Sequence, residues 1–308
     1  EAHVLGSWNR VRILKVQDES AFVAGLSDNL QPQWVPLSAL RRLPCRILVK
    51  PDSVANDALV VRLFRLFNYL WRHSFIPTQL TPCALDFDVL PAGPDFGFLE
   101  YVEGCMPANK FNWKELRSLD DARLRVFLRT AAGSIVAGHV LGLGDRHQDN
   151  IMVRHVELEG LGRCAQFFQI DFKHCFGQHT RIDAAPIAIP SGLKEVLMQL
   201  QVPGPSGSPP MSRWVQLLAL CGMAFRVLRR SNGFIMRLCK LLQVEPATLG
   251  SEVYLATSLD LGETEEEAVE YLCDLIEGSS STLAKRVKDL SHEGGGSLLC
   301  PGMLSMPC

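Results

Sequence analysis

Two patterns of apolar residues run along this chain, and one gives way to the other near residue 55. Before that point short apolar-rich runs lie at residues 11–16, 21–24 and 46–50, set apart by Asp/Ser, Gly and Pro. Short runs rich in β-branched and other apolar residues between turn residues predict β-strands. From Asn56 a helical repeat begins: Leu59, Leu63, Leu66, Phe67 and Leu70 share one face of a helix predicted over 56–71, with Asn56 or Asp57 as its N-cap. A β-type run at 96–102, broken by Glu103-Gly104 and Pro107, comes next. The stripe Leu124, Phe127, Leu128, Ala131, Ile135 and Val136 predicts a mostly buried helix over 119–141, capped by Asp120 or Asp121. Apolar runs at 151–153 and 167–170 are close enough in sequence to pair as a hairpin. After a Pro/Gly/Ser-rich loop at 202–210 a helix is predicted from about Trp214. Another follows Thr264, where Thr264 and Glu267 have capping-box spacing and Val269, Leu272, Cys273 and Ile276 share a face.

The predicted hairpin brings chemistry together. The stretch Gly142-Leu-Gly-Asp-Arg-His-Gln-Asp-Asn150 precedes its first strand, and Asp171-Phe172 follows its second. Pairing carries Asn150 and Asp171 to the same end of the ladder. An amide oxygen and a carboxylate there suit a hard divalent cation that keeps room for phosphate oxygens. Asp145 and His147, on the loop just before, face the same space. Lys50 ends a strand and precedes a helix, which is where a nucleotide kinase places its phosphate-binding ammonium.

Composition narrows the class. The 308 residues are long for one core and suit a two-lobed domain or two domains; 47% are hydrophobic and 21% charged, as in globular proteins. A net charge of −2 gives no bulk field for nucleic acid or anionic membrane. The ten cysteines include no Cys-x-x-Cys pair, so reduced thiols in a cytosolic setting are expected. There is no uninterrupted apolar run long enough to span a bilayer and no signal peptide, and the start at Glu1 without Met reads as a fragment of something larger.

The order Asp145-Arg146-His147, with Asn150 three positions later, reverses the His-Arg-Asp of protein kinases. Asp-Arg-His-x-x-Asn followed by Ile170-Asp-Phe172 resembles the phosphatidylinositol 3-/4-kinase superfamily, which includes the large related Ser/Thr protein kinases. Leu80-Thr-Pro82, the short Pro-containing segment after Asp171, Asp149-Asn150, the Cys221–Arg230 run and the Leu259–Tyr271 stretch look most like class III phosphatidylinositol 3-kinases, the vacuolar sorting type. The resemblance covers roughly residues 40–290.

That resemblance implies an α+β, two-lobed protein-kinase-like fold. Residues 1–103 would form a β-rich N-lobe with a hinge at about 97–103. Residues 104–290 would form a helical C-lobe with a catalytic loop at 142–150 and an activation segment at 171–190, and residues 291–308 a disordered Gly-rich tail. It implies transfer of the ATP γ-phosphate to the 3-hydroxyl of phosphatidylinositol, with ATP and Mg²⁺ or Mn²⁺ as cofactors. In that scheme Lys50 holds the ATP phosphates, and Asn150 and Asp171 hold the metal. His147 is the general base, Asp145 orients the loop or polarises the hydroxyl, and His174 steadies the transferring phosphate. The carbonyl of Glu100 and the amide of Val102 hold the adenine. Asp57 stands either for the last acid of the family's eroded Lys-x-Gly-Asp-Asp-Leu-Arg-Gln-Asp segment or for a mere N-cap. Ser38-Ala-Leu40 is the candidate phosphate loop. The cations of the segment are few (Lys173 and Arg181, with His174 and His179 nearby), which points to a headgroup carrying little phosphate, best unphosphorylated phosphatidylinositol. The implied partners are phosphatidylinositol in a membrane and a regulatory subunit, with no nucleic acid. The implied setting is cytoplasmic and peripheral on endosomal or other internal membranes, in trafficking and autophagy. Lys173 stands where the family has Gly, which removes backbone freedom and keeps a pseudokinase scaffold as an alternative. A phosphatidylinositol 4-kinase and a related Ser/Thr protein kinase are the others.

Overall fold

The computed structural model describes residues 2–4, 10–17, 20–25, 33–36, 40–42, 46–177, 187–203, 209–241 and 251–279. The expected tail at 291–308, Ser38, His179 and Arg181 lie outside the described residues. The chain divides into two compact units between Ile47 and Leu48, so the N-lobe expected over 1–103 takes in both.

The first unit holds an antiparallel five-stranded sheet made of β1 (Ala2–Val4), β2 (Arg10–Gln17), β3 (Ser20–Gly25), β4 (Gln33–Pro36) and β5 (Leu40–Arg42), in the order β4-β3-β2-β1-β5. The β2–β3 register shifts between Ile13 and Lys15. Leu40, one end of the candidate phosphate loop, pairs with Val4 as part of this sheet.

The second unit begins within β6 (Ile47–Lys50) and continues into α1 (Ala55–Arg72). The helix begins without a side-chain cap, its N-cap position being Val54, so neither Asn56 nor Asp57 caps it. Asp57 sits in the first turn and is fully buried, which a cap exposed at a helix end would not be. Strands β7 (Val89–Pro91) and β8 (Gly97–Glu100) complete a sheet in the order β6-β8-β7. The chain then passes through β9 (Cys105–Pro107) into α2 (Asp121–Val140), capped by Asp120, whose carboxylate accepts from the Arg123 amide at 2.9 Å. The predicted hairpin is present as β10 (Ile151–Leu158) and β11 (Gly162–Gln169), with Ile151 opposite Gln169 and β9 on its free edge.

Behind the hairpin lies one continuous apolar core. Phe127 of α2 meets Phe167 of β11 edge to face, with ring centroids 6.2 Å apart. The C-terminal part adds α3 (Ser191–Gln199), β12 (Gln201–Val202), β13 (Met211–Ser212), α4 (Arg213–Arg230), α5 (Asn232–Leu241), α6 (Ser251–Ser258) and α7 (Glu265–Ser279). The Thr264/Glu267 capping box forms as its spacing predicts: the Thr264 amide donates to Glu267 Oε2 at 3.0 Å and the Glu267 amide to Thr264 Oγ1 at 3.3 Å. Trp71 of α1 donates its indole N–H to the Ala224 carbonyl of α4 at 3.0 Å, which ties the first helix of this unit to its last third.

One titratable group packs among these helices. His139, near the end of α2, lies against Phe225, and burial pushes its pKa down to about 4 although a hydrogen bond with the Ser258 backbone works the other way. Its folded pKa lies below the unfolded value of 6.5, so the stability tied to the neutral ring is present above pH 6.5. It is lost as pH falls toward 4. Over that window wild type should lose roughly 2–3 kcal/mol that His139→Gln does not lose. Urea titrations of both proteins at pH 7 and pH 5 check this.

Candidate active site

Asn150 and Asp171 emerge side by side from the hairpin. The Ile170 amide donates to the Asn150 carbonyl at 3.1 Å, extending the ladder by one step beyond the Ile151–Gln169 pair. Asp171 then turns with φ at +57°, and Asp145 on the facing loop has φ at +56°. Such angles are uncommon for residues with a Cβ, although Asp tolerates them better than most. The backbone is held there by Arg146, which is buried and donates Nε to the Gly144 carbonyl at 2.7 Å, Nη1 to the Ile170 carbonyl at 2.7 Å and Nη2 to the Asp171 carbonyl. Its guanidinium also lies 5.7 Å from the Phe172 ring centroid. One side chain thus clamps the loop and the residue after the hairpin together. Its role as a clamp was not visible in the sequence, where Arg146 is only the middle of a three-residue motif.

Lys50 reaches into the same place. Its ammonium donates to Asp171 Oδ1 at 2.8 Å and to Asp57 Oδ2 at 3.3 Å. Burial works against its charge, but the field of Asp57 and the hydrogen bond to Asp171 outweigh it, so its pKa is raised. The other oxygen of Asp57 accepts the Phe172 amide at 3.0 Å. Asp57 therefore pairs with the candidate catalytic groups, one of the two readings open in the sequence, and the N-cap reading is set aside. Phe172 is buried between Phe64, edge-on at 5.3 Å, and Phe87, stacked at 6.2 Å.

Within the loop, Asn150 donates its side-chain amide to the Asp145 carbonyl at 3.0 Å. That leaves the amide oxygen as the group able to meet a cation. His147 Nδ1 accepts the Asp149 amide at 3.2 Å. Asp149 in turn accepts from Asn109 Nδ2 at 2.9 Å. The His174 carbonyl accepts the Gly144 amide at 2.9 Å, which places His174 beside the same loop. Glu100 closes β8: its amide donates to the Asp88 carbonyl at 2.7 Å and its carboxylate accepts the Asp88 amide at 2.9 Å. Val102 lies two residues on, buried. Lys50, Asp57, Asp145, His147, Asn150, Asp171 and His174 are thus linked by adjoining hydrogen bonds, whereas Glu100 and Val102 are positioned by the β7–β8 hairpin.

Lys173 needs no glycine-like backbone here. Among the described residues the positive-φ positions nearby are Asp145, Asp171, Phe176, Gly142 and Gly177, and Lys173 is not one of them. Its ammonium pairs with Asp52 at 2.7 Å and its carbonyl accepts from Asn56 Nδ2 at 2.8 Å. The ion pair is exposed and contributes little, under about 1 kcal/mol. The hydrogen bond of Lys50 and Asp171 sits two residues away and is undisturbed by it.

Residues 112–249 match the family model described as phosphatidylinositol 3- and 4-kinase, which takes in the 142–150 loop, the hairpin and Asp171. Over residues 112–249 the chain is similar to the phosphatidylinositol 3- and 4-kinase family. The phosphatidylinositol 3-kinase VPS34 of Saccharomyces cerevisiae is 24% identical over 292 residues, covering 86% of this chain and 30% of that protein. The VPS34 of Candida glabrata is 26% identical over 264 residues, covering 78% and 27%. Phosphatidylinositol 3-kinase 2 of Dictyostelium discoideum is 23% identical over 295 residues, covering 86% and 14%. The chain thus spans less than a third of the length of these curated relatives. The protein-kinase-like fold of that family goes with the mixture of helix and small sheets seen in the second unit. No helix among the described residues is long and apolar enough to cross a membrane.

The donor set of this site fits an oxygen-preferring divalent cation. Asp171 offers a half-exposed carboxylate and Asn150 an amide oxygen, while no group of three or more His, Cys, Asp or Glu converges among the described residues. Two oxygen ligands leave coordination positions for phosphate and water, which is how Mg²⁺ is usually held.

Proposed function

We propose that this protein is a phosphatidylinositol 3-kinase catalytic domain that transfers the γ-phosphate of ATP to the 3-hydroxyl of phosphatidylinositol. The observation that carries the reading is the convergence of Lys50, Asp57 and Asp171 with the Asp145–Asn150 loop. The 3-position rests on the names of the relatives. In this reading residues up to 103 form the nucleotide lobe, residues 104–290 carry the catalytic loop and activation segment, and ATP lies between the lobes.

Mg²⁺ or Mn²⁺, when bound with ATP, neutralises charge on the transferring phosphate. Asp171 and Asn150 would hold the metal, and Lys50 would turn from Asp171 to the ATP phosphates. Asp57 keeps Lys50 within reach and holds the Phe172 amide, so the segment after Asp171 keeps its place. The carbonyl of Glu100 and the amide of Val102 would read the adenine edge. His174 would steady the transferring phosphate.

Two assignments of the proton remain, and one contact bears on them. His147 as general base takes the substrate hydroxyl proton on Nε2. The Asp149 amide at Nδ1 instead favours the neutral tautomer with its proton already on Nε2. That tautomer suits a donor to the transferring phosphate, with Asp145 polarising the hydroxyl.

The substrate is unphosphorylated phosphatidylinositol, presented in a membrane that the protein visits peripherally; a regulatory subunit and an endosomal setting are what the resemblance read in the sequence implies. The test uses vesicles of phosphatidylinositol, its 4-phosphate or its 4,5-bisphosphate. The first should be phosphorylated at least about tenfold faster, and the product should be the 3-phosphate. A 4-phosphate product moves the chain to the other branch of the family, and no product from a folded, ATP-binding protein supports the scaffold. In the same assay His147→Gln separates the proton roles. A base requires that the rise of kcat with pH near the imidazole pKa vanish with the variant, together with about a hundredfold loss of rate. A donor role leaves the pH profile unchanged in shape.

A further inference from the structure

Helix α6 lies outside the 112–249 match, yet one of its side chains sits on the start of the catalytic loop. Residues 141–144 and 174–177 run alongside each other. The Phe176 amide donates to the Leu141 carbonyl at 2.7 Å, the Gly144 amide to the His174 carbonyl at 2.9 Å and the Gly177 amide to the Gly142 carbonyl at 3.4 Å. Gly142 and Gly177 both have positive φ, at +54° and +78°. Tyr254 fills the space that side chains there would take. A Cβ at Gly142 would collide with its hydroxyl, and a Cβ at Gly177 would come within 2.9 Å of its ring. The ring also meets Phe176 edge-on, with centroids 6.2 Å apart. Burial pushes the phenol pKa up to about 12, so it stays neutral at physiological pH.

The helix is well placed to hold that ring. Leu255 and Leu259 are buried, Arg229 of α4 donates to the Leu259 and Asp260 carbonyls at 3.1 and 3.0 Å, and the Ser258 backbone hydrogen-bonds His139 of α2. Thus α6 is fixed at its end to two core helices, and Tyr254 is its reach toward the loop.

We propose that Tyr254 is a positioning residue: its ring props the paired segments 141–144 and 174–177, and through them sets the place of Asp145, His147 and His174. The proposal rests on the kinase reading of that loop for its consequence, but not for its geometry. Without the ring the two segments lose the body between their glycines, and the short ladder opens more often. The hydroxyl is secondary to the ring, so Phe should substitute for Tyr.

The test compares wild type, Tyr254→Phe, Tyr254→Ala and, as a control on the exposed side of the same helix, Thr257→Ala. Two quantities are read: hydrogen exchange at the Gly144, Phe176 and Gly177 amides, and kcat and KM for ATP. Tyr254→Ala should speed exchange at those three amides by about tenfold or more. It should lower kcat about tenfold with KM for ATP within about twofold, while the Phe and Thr257 variants match wild type. Should Tyr254→Ala fail to fold, Tyr254→Leu, which keeps apolar bulk but not the ring's reach, carries the same comparison. Unchanged exchange at the three amides, or a kcat loss equal to the loss of folded protein, would overturn the proposal. A wild type that transfers no phosphate overturns the kinase reading instead, and the exchange comparison still decides the role of Tyr254.

Discussion

Asp57→Ala is expected to destabilise the protein by about 3 kcal/mol. The carboxylate is fully buried and serves two donors, the Lys50 ammonium at 3.3 Å and the Phe172 amide at 3.0 Å. Removing it strands the Phe172 N–H among the rings of Phe64 and Phe87 and leaves Lys50 with Asp171 as its remaining carboxylate partner. Asp57→Asn separates the two losses, since the amide oxygen still accepts the Phe172 N–H while the charge facing Lys50 is gone. A urea titration should show a lower midpoint with unchanged slope for Asp57→Ala, and an intermediate midpoint for Asp57→Asn. Equal stability of Asp57→Ala and wild type would mean that Asp57 does not hold this junction.

Asp171→Asn should have the opposite profile, little effect on stability and a large effect on phosphate transfer. Its side chain is 43% exposed and its partner Lys50 retains Asp57, so folding loses little. The substituted amide keeps one oxygen for Lys50 but loses the charge that a divalent cation needs. Initial rates at saturating ATP and Mg²⁺ should fall about a thousandfold. ATP binding measured without metal should change far less, because Lys50 and the backbone groups of the hinge remain.

How far the sequence went is clearest at the hairpin. Short apolar runs at 151–153 and 167–170 predicted β10 and β11, and hence the meeting of Asn150 with Asp171. That inference needed only local pattern and a short separation. Asp57 was half legible. An acid at a helix start reads equally as a cap, and the choice was decided by an amide 115 residues away, which no local pattern encodes. Arg146 and Tyr254 were not legible as clamps. One is buried against backbone carbonyls and the other against glycines, and neither kind of contact leaves a periodic mark in the sequence. Strands β1, β4 and β5 are three or four residues long, too short for alternation to register. The helices α3, α5 and α6, of eight to ten residues, escaped for a similar reason.

The most direct measurement is transfer of labelled γ-phosphate from ATP to phosphatidylinositol in vesicles by the wild-type chain, with and without Mg²⁺. The expected result is metal-dependent formation of phosphatidylinositol 3-phosphate that stops on chelation. Absence of labelled lipid from protein that is folded and binds ATP would contradict the lipid-kinase assignment.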